Sequence, residues 1–382
     1  MSIGPLTPGN SDAGSPGGED ARNLANQHAS GTATDQSNLA LKEVEGLSLG
    51  RIVFRRFLRH RAAMISLGVM AVVIILSFSS IGVHIGPINF GGWWKYTVEA
   101  VPAPVDGGRP TLSIFPFNWG EHPFGQDSVG HDIFANVMRG IQQSLMIIVV
   151  SGAVSTFIGT TLGAIAGYFG GWVDSVIMRT TDLVIIVPYL LVAAIVGHAL
   201  AGAGSWVLAI FLGLLFWTTL ARLVRGEVLA LREREFVEAA KVAGSTNFRI
   251  IFRHILPNAV GVIVVSTTLT MSATILTETA ISFLGFGVQS PDTSLGKLIG
   301  DYQTAFATRP YLFWWPAVFI IIIALSINFV GDGLRDAFDP RQRRGLGRAA
   351  RKERGVAEST ALQKAEAEER IEGSPDPVEA PR

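Results

Sequence analysis

A chain of 382 residues that is 48% hydrophobic and only 16% charged is too apolar for water, where about a quarter of an ordinary protein's residues are charged. Its 31 basic and 31 acidic residues cancel, so no net charge points to nucleic acid or to an acidic partner. The absence of cysteine excludes disulfides, thiolate-bound zinc, iron–sulfur clusters and thiol catalysis.

Residues 1–50 are rich in Gly, Ser, Thr, Asn, Asp and Pro and carry too little apolar surface to offset ordering entropy, which predicts an unstructured tail. Residues 51–139 are expected to hold a first membrane helix and an external loop. No Asp, Glu, Lys or Arg occurs from Ala62 to Trp94, and Met64–Ile85 is long enough to cross the hydrocarbon layer. Too much chain precedes this helix for the short basic region of a signal peptide, so it is expected to be an uncleaved anchor. Phe134, Val137, Met138 and Ile141 share one helical face just before a second span at Gln142–Gly163, which a glycine-rich turn at 167–171 closes.

A core is expected over 140–340. Leu183–Ala221 is too long for one crossing, and Ala201-Gly202-Ala203-Gly204-Ser205 divides it into spans three and four. Pro188 is expected to interrupt span three, because it lacks a backbone donor and crowds the preceding turn. Such kinks also line moving pathways, which makes Pro188 a candidate for the pathway or its gate. Ile255–Thr277 and Tyr311–Gly331 supply spans five and six. Glu278, at the outer end of span five, is a second pathway or gating candidate, with a structural contact to the last external loop as the competing reading. Leu295, Leu298, Ile299 and Tyr302 pattern as a short amphipathic helix in that loop. Like the Phe134 face, it either lies at the interface, touches a partner, or packs on its own spans. Residues 341–382 are charged and alanine-rich and predict a second unstructured tail, with Glu358–Ile371 its one helical pattern.

Basic residues set the orientation, because short loops rich in them stay cytoplasmic. Lys and Arg number 22 on one side, from Lys42 to Arg61, at Arg179, from Arg222 to Arg253 and from Arg335 to Arg354, against 5 on the other. Both termini are therefore expected in the cytoplasm.

Several chemistries lack their residues. No phosphate-cradling Gly-x-x-x-x-Gly-Lys-Ser/Thr occurs, so the chain is not expected to hydrolyse ATP. The seven histidines form no His-Glu-x-x-His pattern or other tight ligand cluster, and no metal, catalytic set or cofactor is expected. A secondary transporter or channel is the main rival, but such proteins place ionisable groups within their spans, and none lies near the middle of the six proposed here. A membrane-embedded enzyme is the other rival, and it lacks a polar catalytic set.

The most informative stretch is the cytoplasmic loop between spans four and five, about 228–257. Phe236, Ala239, Ala240 and Ala243 fall at i, i+3, i+4 and i+7 and predict one stripe of mostly small side chains. Gly244 is expected to end that helix in the left-handed conformation. Phe248, Ile251, Phe252 and Ile255 repeat the spacing in a second helix leading to Pro257. The pattern is a helix-glycine-helix elbow whose faces pack on the chain's own helix ends or dock on another protein, and docking is the reading taken.

Glu238-Ala239-Ala240, Gly244 and Leu256-Pro257 in this register resemble the EAA loop of binding-protein-dependent ABC importer permeases. Arg253-His254-Ile255-Leu256-Pro257-Asn258 is similar to the dipeptide and oligopeptide branch, with His254 where the general pattern prefers an aliphatic residue. His122-Pro123-Phe124-Gly125-Gln126-Asp127 with Gly130-His131-Asp132, Glu278–Gly287, and Gly331–Asp336 with Asp339-Pro340-Arg341 resemble further segments of that branch. Phe54–Arg61 is similar to the amino-terminal element of one of its two permeases. The resemblance covers about 50–341. It implies an all-α integral membrane protein of the type I importer fold with about six spans, working by alternating access in the plasma membrane. It also implies a second, homologous permease, two cytoplasmic ATPases and an extracytoplasmic binding protein as partners. Phe236, Glu238, Ala239, Ala240, Ala243, Gly244, Leu256 and Pro257 would then couple it to the ATPases. Peptide is the substrate implied by the branch, which also takes nickel and other small solutes.

Overall fold

The computed structural model describes residues 49–338 apart from 86–87, 114–115 and 200–203. Nearly all of both expected tails and the closing Asp339-Pro340-Arg341 lie outside the described residues, although Leu49 and Gly50 already belong to a helix. That helix, α1 (Leu49–Arg59), ends where His60 turns extended, at φ −80° and ψ 99°. The His60 Nδ1 accepts the N–H of Ala63 at 3.1 Å and so caps α2 (Arg61–Ser80). Twenty residues of helix give about 30 Å, one hydrocarbon thickness.

Span one was expected to reach Ile85, and the structure corrects this. Gly82 adopts φ 76°, which no helix continues through, and Gly82–Ile85 forms β1, paired antiparallel with β2 (Ile88–Gly91). A Cβ at Gly82 would sit 1.9 Å from the Phe90 carbonyl oxygen, so only glycine allows this approach.

α3 (Ile133–Phe169) is a single helix of 37 residues and absorbs both the predicted amphipathic stretch and span two. Asp132 caps it, its Oδ2 accepting the Ala135 N–H at 2.9 Å, and Gly170 at φ 64° ends it. α4 (Gly171–Ile186) and α5 (Tyr189–Ala199) follow, bent by 76° around Val187-Pro188. The interruption at Pro188 is therefore present, but its first arm begins at Gly171 and not near Leu183. α6 (Ser205–Leu231) and α7 (Glu235–Val242) lead to α8 (Asn247–Phe283), α9 (Leu295–Tyr302) and α10 (Tyr311–Phe338). Among the described residues five helices are long and apolar enough to cross a membrane, six if the bent α4–α5 pair is one span.

α3 and α6 form the most extensive helix pair. Gly159, Gly163 and Gly167 share one face of α3, and a Cβ on Gly163 would come within 2.5 Å of the Ala221 carbonyl oxygen. Small residues at this spacing let two backbones approach where lipid supplies no hydrophobic drive for association. Two ion pairs, Arg225 with Asp174 and Arg222 with Asp182, tie α4 to α6. α8 packs on α3 and α10, and α10 in turn on α2.

Phe134, Val137, Met138 and Ile141 are fully buried in a core that also holds Leu295, Leu298, Ile299, Leu312 and Ile323. Of the readings open for the two amphipathic stretches, packing on the chain's own spans is the one observed.

Candidate coupling elbow

Three helices meet at the elbow. α6 stops at Leu231, and Arg234 turns extended, at φ −87° and ψ 146°, to start α7. Glu235 and Glu238 lie in its first turn and Lys241 in its last, which complements the helix dipole. At its end the Gly244 N–H donates to the Lys241 carbonyl at 2.9 Å and the Ser245 N–H to that of Ala240 at 3.0 Å. This is a Schellman ending, and it holds Gly244 at φ 75° as the sequence predicts. Thr246 then caps α8, its hydroxyl accepting the Arg249 N–H.

The first turns of α8 are unusual. Ile250–Ile255 is a π-helical stretch, in which the Leu256 N–H reaches the Ile251 carbonyl. Pro257, immediately beyond, has no N–H to give, and the side-chain amide of Asn258 donates to the His254 carbonyl at 2.6 Å. Widened turns of this kind recur at functional sites.

The structure divides the predicted stripes into an inner and an outer face. Ala240, only 8% exposed, turns inward with Val237, Ile250, Ile251 and Ile255 onto Ala164 of α3 and Leu220, Val224 and Val228 of α6. Phe236, Ala239 and Ala243 stay exposed, together with Glu238. Val242 is 90% exposed and Phe248 70%, and Phe248 and Phe252 lie against each other with ring centroids 4.3 Å apart. The expected single stripe Phe248, Ile251, Phe252, Ile255 is split because the π-helical turns re-phase the helix. Leu256 is half-buried and Pro257 exposed.

Sequence reasoning missed Val237 and Ile250, which seat the elbow, and Val242 on its outer surface, and it placed Phe248 and Phe252 on one face with Ile251 and Ile255 instead of with Val242. A valine, two alanines and three phenylalanines facing water on one short segment is the signature of an interaction surface. Beneath it, the Tyr168 hydroxyl donates to Asn247 Oδ1 at 2.9 Å and Arg232 Nη1 to the Gly167 carbonyl at 3.2 Å, fastening the elbow to the end of α3.

The pathway candidates lie elsewhere. Glu278 is buried where α3, α8 and α9 meet, its Oε1 accepting from Ser282 at 2.8 Å and its Oε2 from Ser144 at 3.4 Å. Ser144 in turn accepts the N–H of Leu295 at 3.3 Å. That geometry matches the competing reading, a tie to the last external loop. Pro188 is exposed at the α4–α5 break.

The loop before α3 owes its order to two His–Asp pairs. His122 Nδ1 lies 2.7 Å from Asp132 Oδ1, both buried, and Trp94 Nε1 donates to Asp132 Oδ2 at 2.8 Å. Asp127 accepts the N–H groups of Val129, Gly130 and His131, and the His131 ring at 2.8 Å. Burial pushes the Asp127 carboxyl up, but the hydrogen bonds from His131 and Gly130 outweigh it and hold it below the usual carboxylate value. Burial and this same carboxylate push the Tyr302 hydroxyl well up. Among the described residues no cluster of His, Cys, Asp and Glu is arranged to hold a metal ion.

Residues 159–344 match the family described as binding-protein-dependent transport system inner membrane component, and residues 48–87 match the N-terminal TM domain of oligopeptide transport permease C. The oligopeptide transport system permease protein OppC of Mycobacterium tuberculosis is 36% identical over 293 residues, covering 76% of this chain and 94% of its own length. That of Haemophilus influenzae is 36% identical over 301 residues, or 79% and 91% of the two chains. A putative peptide permease protein of Brucella ovis is 35% identical over 75% and 89%. Among solved structures, an inward-facing MetNI methionine ABC transporter chain aligns with a TM-score of 0.43 at 19% identity, over 53% of this chain and 96% of that one.

Proposed function

This chain belongs to the family of binding-protein-dependent transport system inner membrane components, and from that premise we propose that it is one of two permease subunits of an ATP-driven importer of short peptides. It is a multi-pass membrane protein of the type I importer permease fold. In our reading both termini are cytoplasmic and the pathway runs between this chain and a second, homologous permease. The chain performs no bond chemistry itself. Two separate cytoplasmic ATPases supply the energy, and an extracytoplasmic binding protein delivers the peptide.

The observation that carries the coupling role is the exposed apolar face of the elbow, Phe236, Ala239, Val242, Ala243 and Phe248, held on a seat packed against the ends of α3 and α6. Val237, Ala240, Ile250 and Ile255 pack on the ends of α3 and α6, and interiors so packed transmit displacement instead of absorbing it. A push on the outer face would therefore move α3, α6 and α8 together and tilt the pathway between its two openings. Small side chains at 239 and 243 let a partner groove approach the helix backbone closely. Glu238, exposed beside them, offers a charge for the rim of that contact.

The peptide assignment follows the relatives, which are oligopeptide and peptide permeases. Its test is import: cells expressing the whole transporter should accumulate a radiolabelled tripeptide, and loss of this chain should abolish uptake. Retention of nickel and not of peptide by the accompanying binding protein would refute the substrate.

A further inference from the structure

The helix preceding the first span has a surface that is not part of the elbow. In α1 (Leu49–Arg59), Arg51, Arg55 and Arg59 are exposed at i, i+4 and i+8. Phe54 and Leu58, at 62% and 46% exposure, form the adjoining row of the same face. A row of guanidinium groups beside a row of large apolar side chains is poorly suited to water, where Phe54 and Leu58 gain nothing. It is equally unlike a protein-facing stripe, which would have to bury three charges.

The position of the helix on the chain narrows the occupant. After α1 the backbone has one extended residue, His60, before α2 starts at Arg61, and α2 is one of the five helices long and apolar enough to cross the membrane. Arg61 itself is exposed at that boundary. Two residues of chain span less than 8 Å, so the end of α1 is held at the membrane surface whatever the rest of the chain does. There, apolar side chains enter the acyl boundary while arginines reach phosphates.

We propose that Arg51, Arg55 and Arg59, with Phe54 and Leu58, form a binding surface for anionic phospholipid headgroups beside the first span. The lipid supplies both halves of the match, a phosphate to each guanidinium and an acyl region to the apolar row. A free phosphate anion would satisfy only the arginines. Basic side chains at an anionic membrane surface each contribute about a fivefold preference, screened by salt.

The chain contains no cysteine, so one label reports one site. The full-length protein carrying Leu58→Cys, labelled with a fluorophore, would be reconstituted in vesicles containing nitroxide-bearing phosphatidylglycerol or nitroxide-bearing phosphatidylcholine. Ile65→Cys, exposed in α2, serves as the lipid-facing control. The expected result is stronger quenching at position 58 by the anionic lipid, several-fold at low salt, with both lipids equal at position 65. Adding Arg51→Gln, Arg55→Gln and Arg59→Gln should bring the ratio at 58 close to one while the control stays quenched. Equal quenching by both lipids in the unsubstituted-arginine protein would overturn the proposal. So would a label at 58 that neither lipid quenches while 65 is quenched, or loss of the preference on adding millimolar inorganic phosphate at constant ionic strength.

Discussion

Gly244 isolates one physical term at the elbow. Its φ is 75°, and a Cβ built there meets nothing within 4 Å. Substitution therefore costs backbone conformation alone, with no clash to relieve, and the Schellman hydrogen bonds use only main-chain groups. An L-residue pays about 1–2 kcal/mol in the left-handed region, asparagine less because it visits that region readily, and a β-branched residue more, about 3 kcal/mol. At 1.4 kcal/mol per tenfold, the ratio of elbows holding the native angle to those in competing conformations should fall roughly 5–30-fold for Gly244→Ala and about a hundredfold for Gly244→Val. Gly244→Asn should stay near wild type. The assay is copurification of the ATPase subunit, with peptide-stimulated hydrolysis in reconstituted vesicles. The order Gly, Asn, Ala, Val should appear in both readouts, while membrane insertion is unchanged. Equal coupling in all four, or equal loss in the three variants, would refute the argument that the left-handed turn sets the elbow.

The two faces of α7 should separate stability from docking. Ala240→Trp inserts volume into the packed seat, where overpacking costs about 1–3 kcal/mol, and should lower the melting temperature of the purified protein. Ala239→Trp on the exposed face should leave melting unchanged and weaken ATPase copurification. Topology is readable by thiol labelling: cysteine at exposed Asn118 or Thr308 should react with an impermeant reagent from outside, and a reporter after Arg354 should be cytoplasmic. Ser294 is unsuitable for such labelling because it is buried and caps α9. The lowered Asp127 carboxyl implies stability of the loop before α3 that is present above the unfolded-state value and lost as pH falls through the folded one. Melting temperature should therefore drop below about pH 4, and Asp127→Asn should flatten that dependence.

Much of this was legible because a membrane leaves few options. Runs without charge located the five long spans and the second arm of the broken one, whose first arm carries Asp174, Arg179 and Asp182, and Tyr311 was found as the start of α10, since Pro310 and Arg309 break the apolar pattern at that point. Boundaries failed where they depend on backbone conformation or tertiary burial. Nothing in the composition of Gly82–Ile85 distinguishes a strand from a helix end, and the positive φ at Gly82 decides it. Phe134, Val137, Met138 and Ile141 carry the helical period correctly, but period alone does not tell that α3 runs on unbroken or that these residues are buried under α9 and α10.

The elbow shows the same limit at a functional surface. Residue type and spacing gave the helix, the glycine turn and the second helix. They did not give which alanine turns inward, because Ala239 and Ala240 have the same side chain and differ only in what α3 and α6 place beneath them. Nor does a 3.6-residue period describe Ile250–Ile255, where the π-helical turns ahead of Pro257 rotate Phe248 and Phe252 away from Ile251 and Ile255. Val242 was missed because an exposed valine has meaning only once the inner face is known.

The central claim is that the outer face of this elbow docks on an ATPase, and contact mapping tests it directly. Replacing Phe248 by its benzoyl-bearing photoreactive analogue keeps an aromatic ring at the exposed position, and the same residue at Phe117, exposed in the loop before α3, serves as control. On irradiation of the assembled transporter in its membrane, position 248 should crosslink to the cytoplasmic ATPase subunit and position 117 should not. A crosslink from 248 only to this chain's own residues, in a preparation where the ATPase copurifies, would contradict the account.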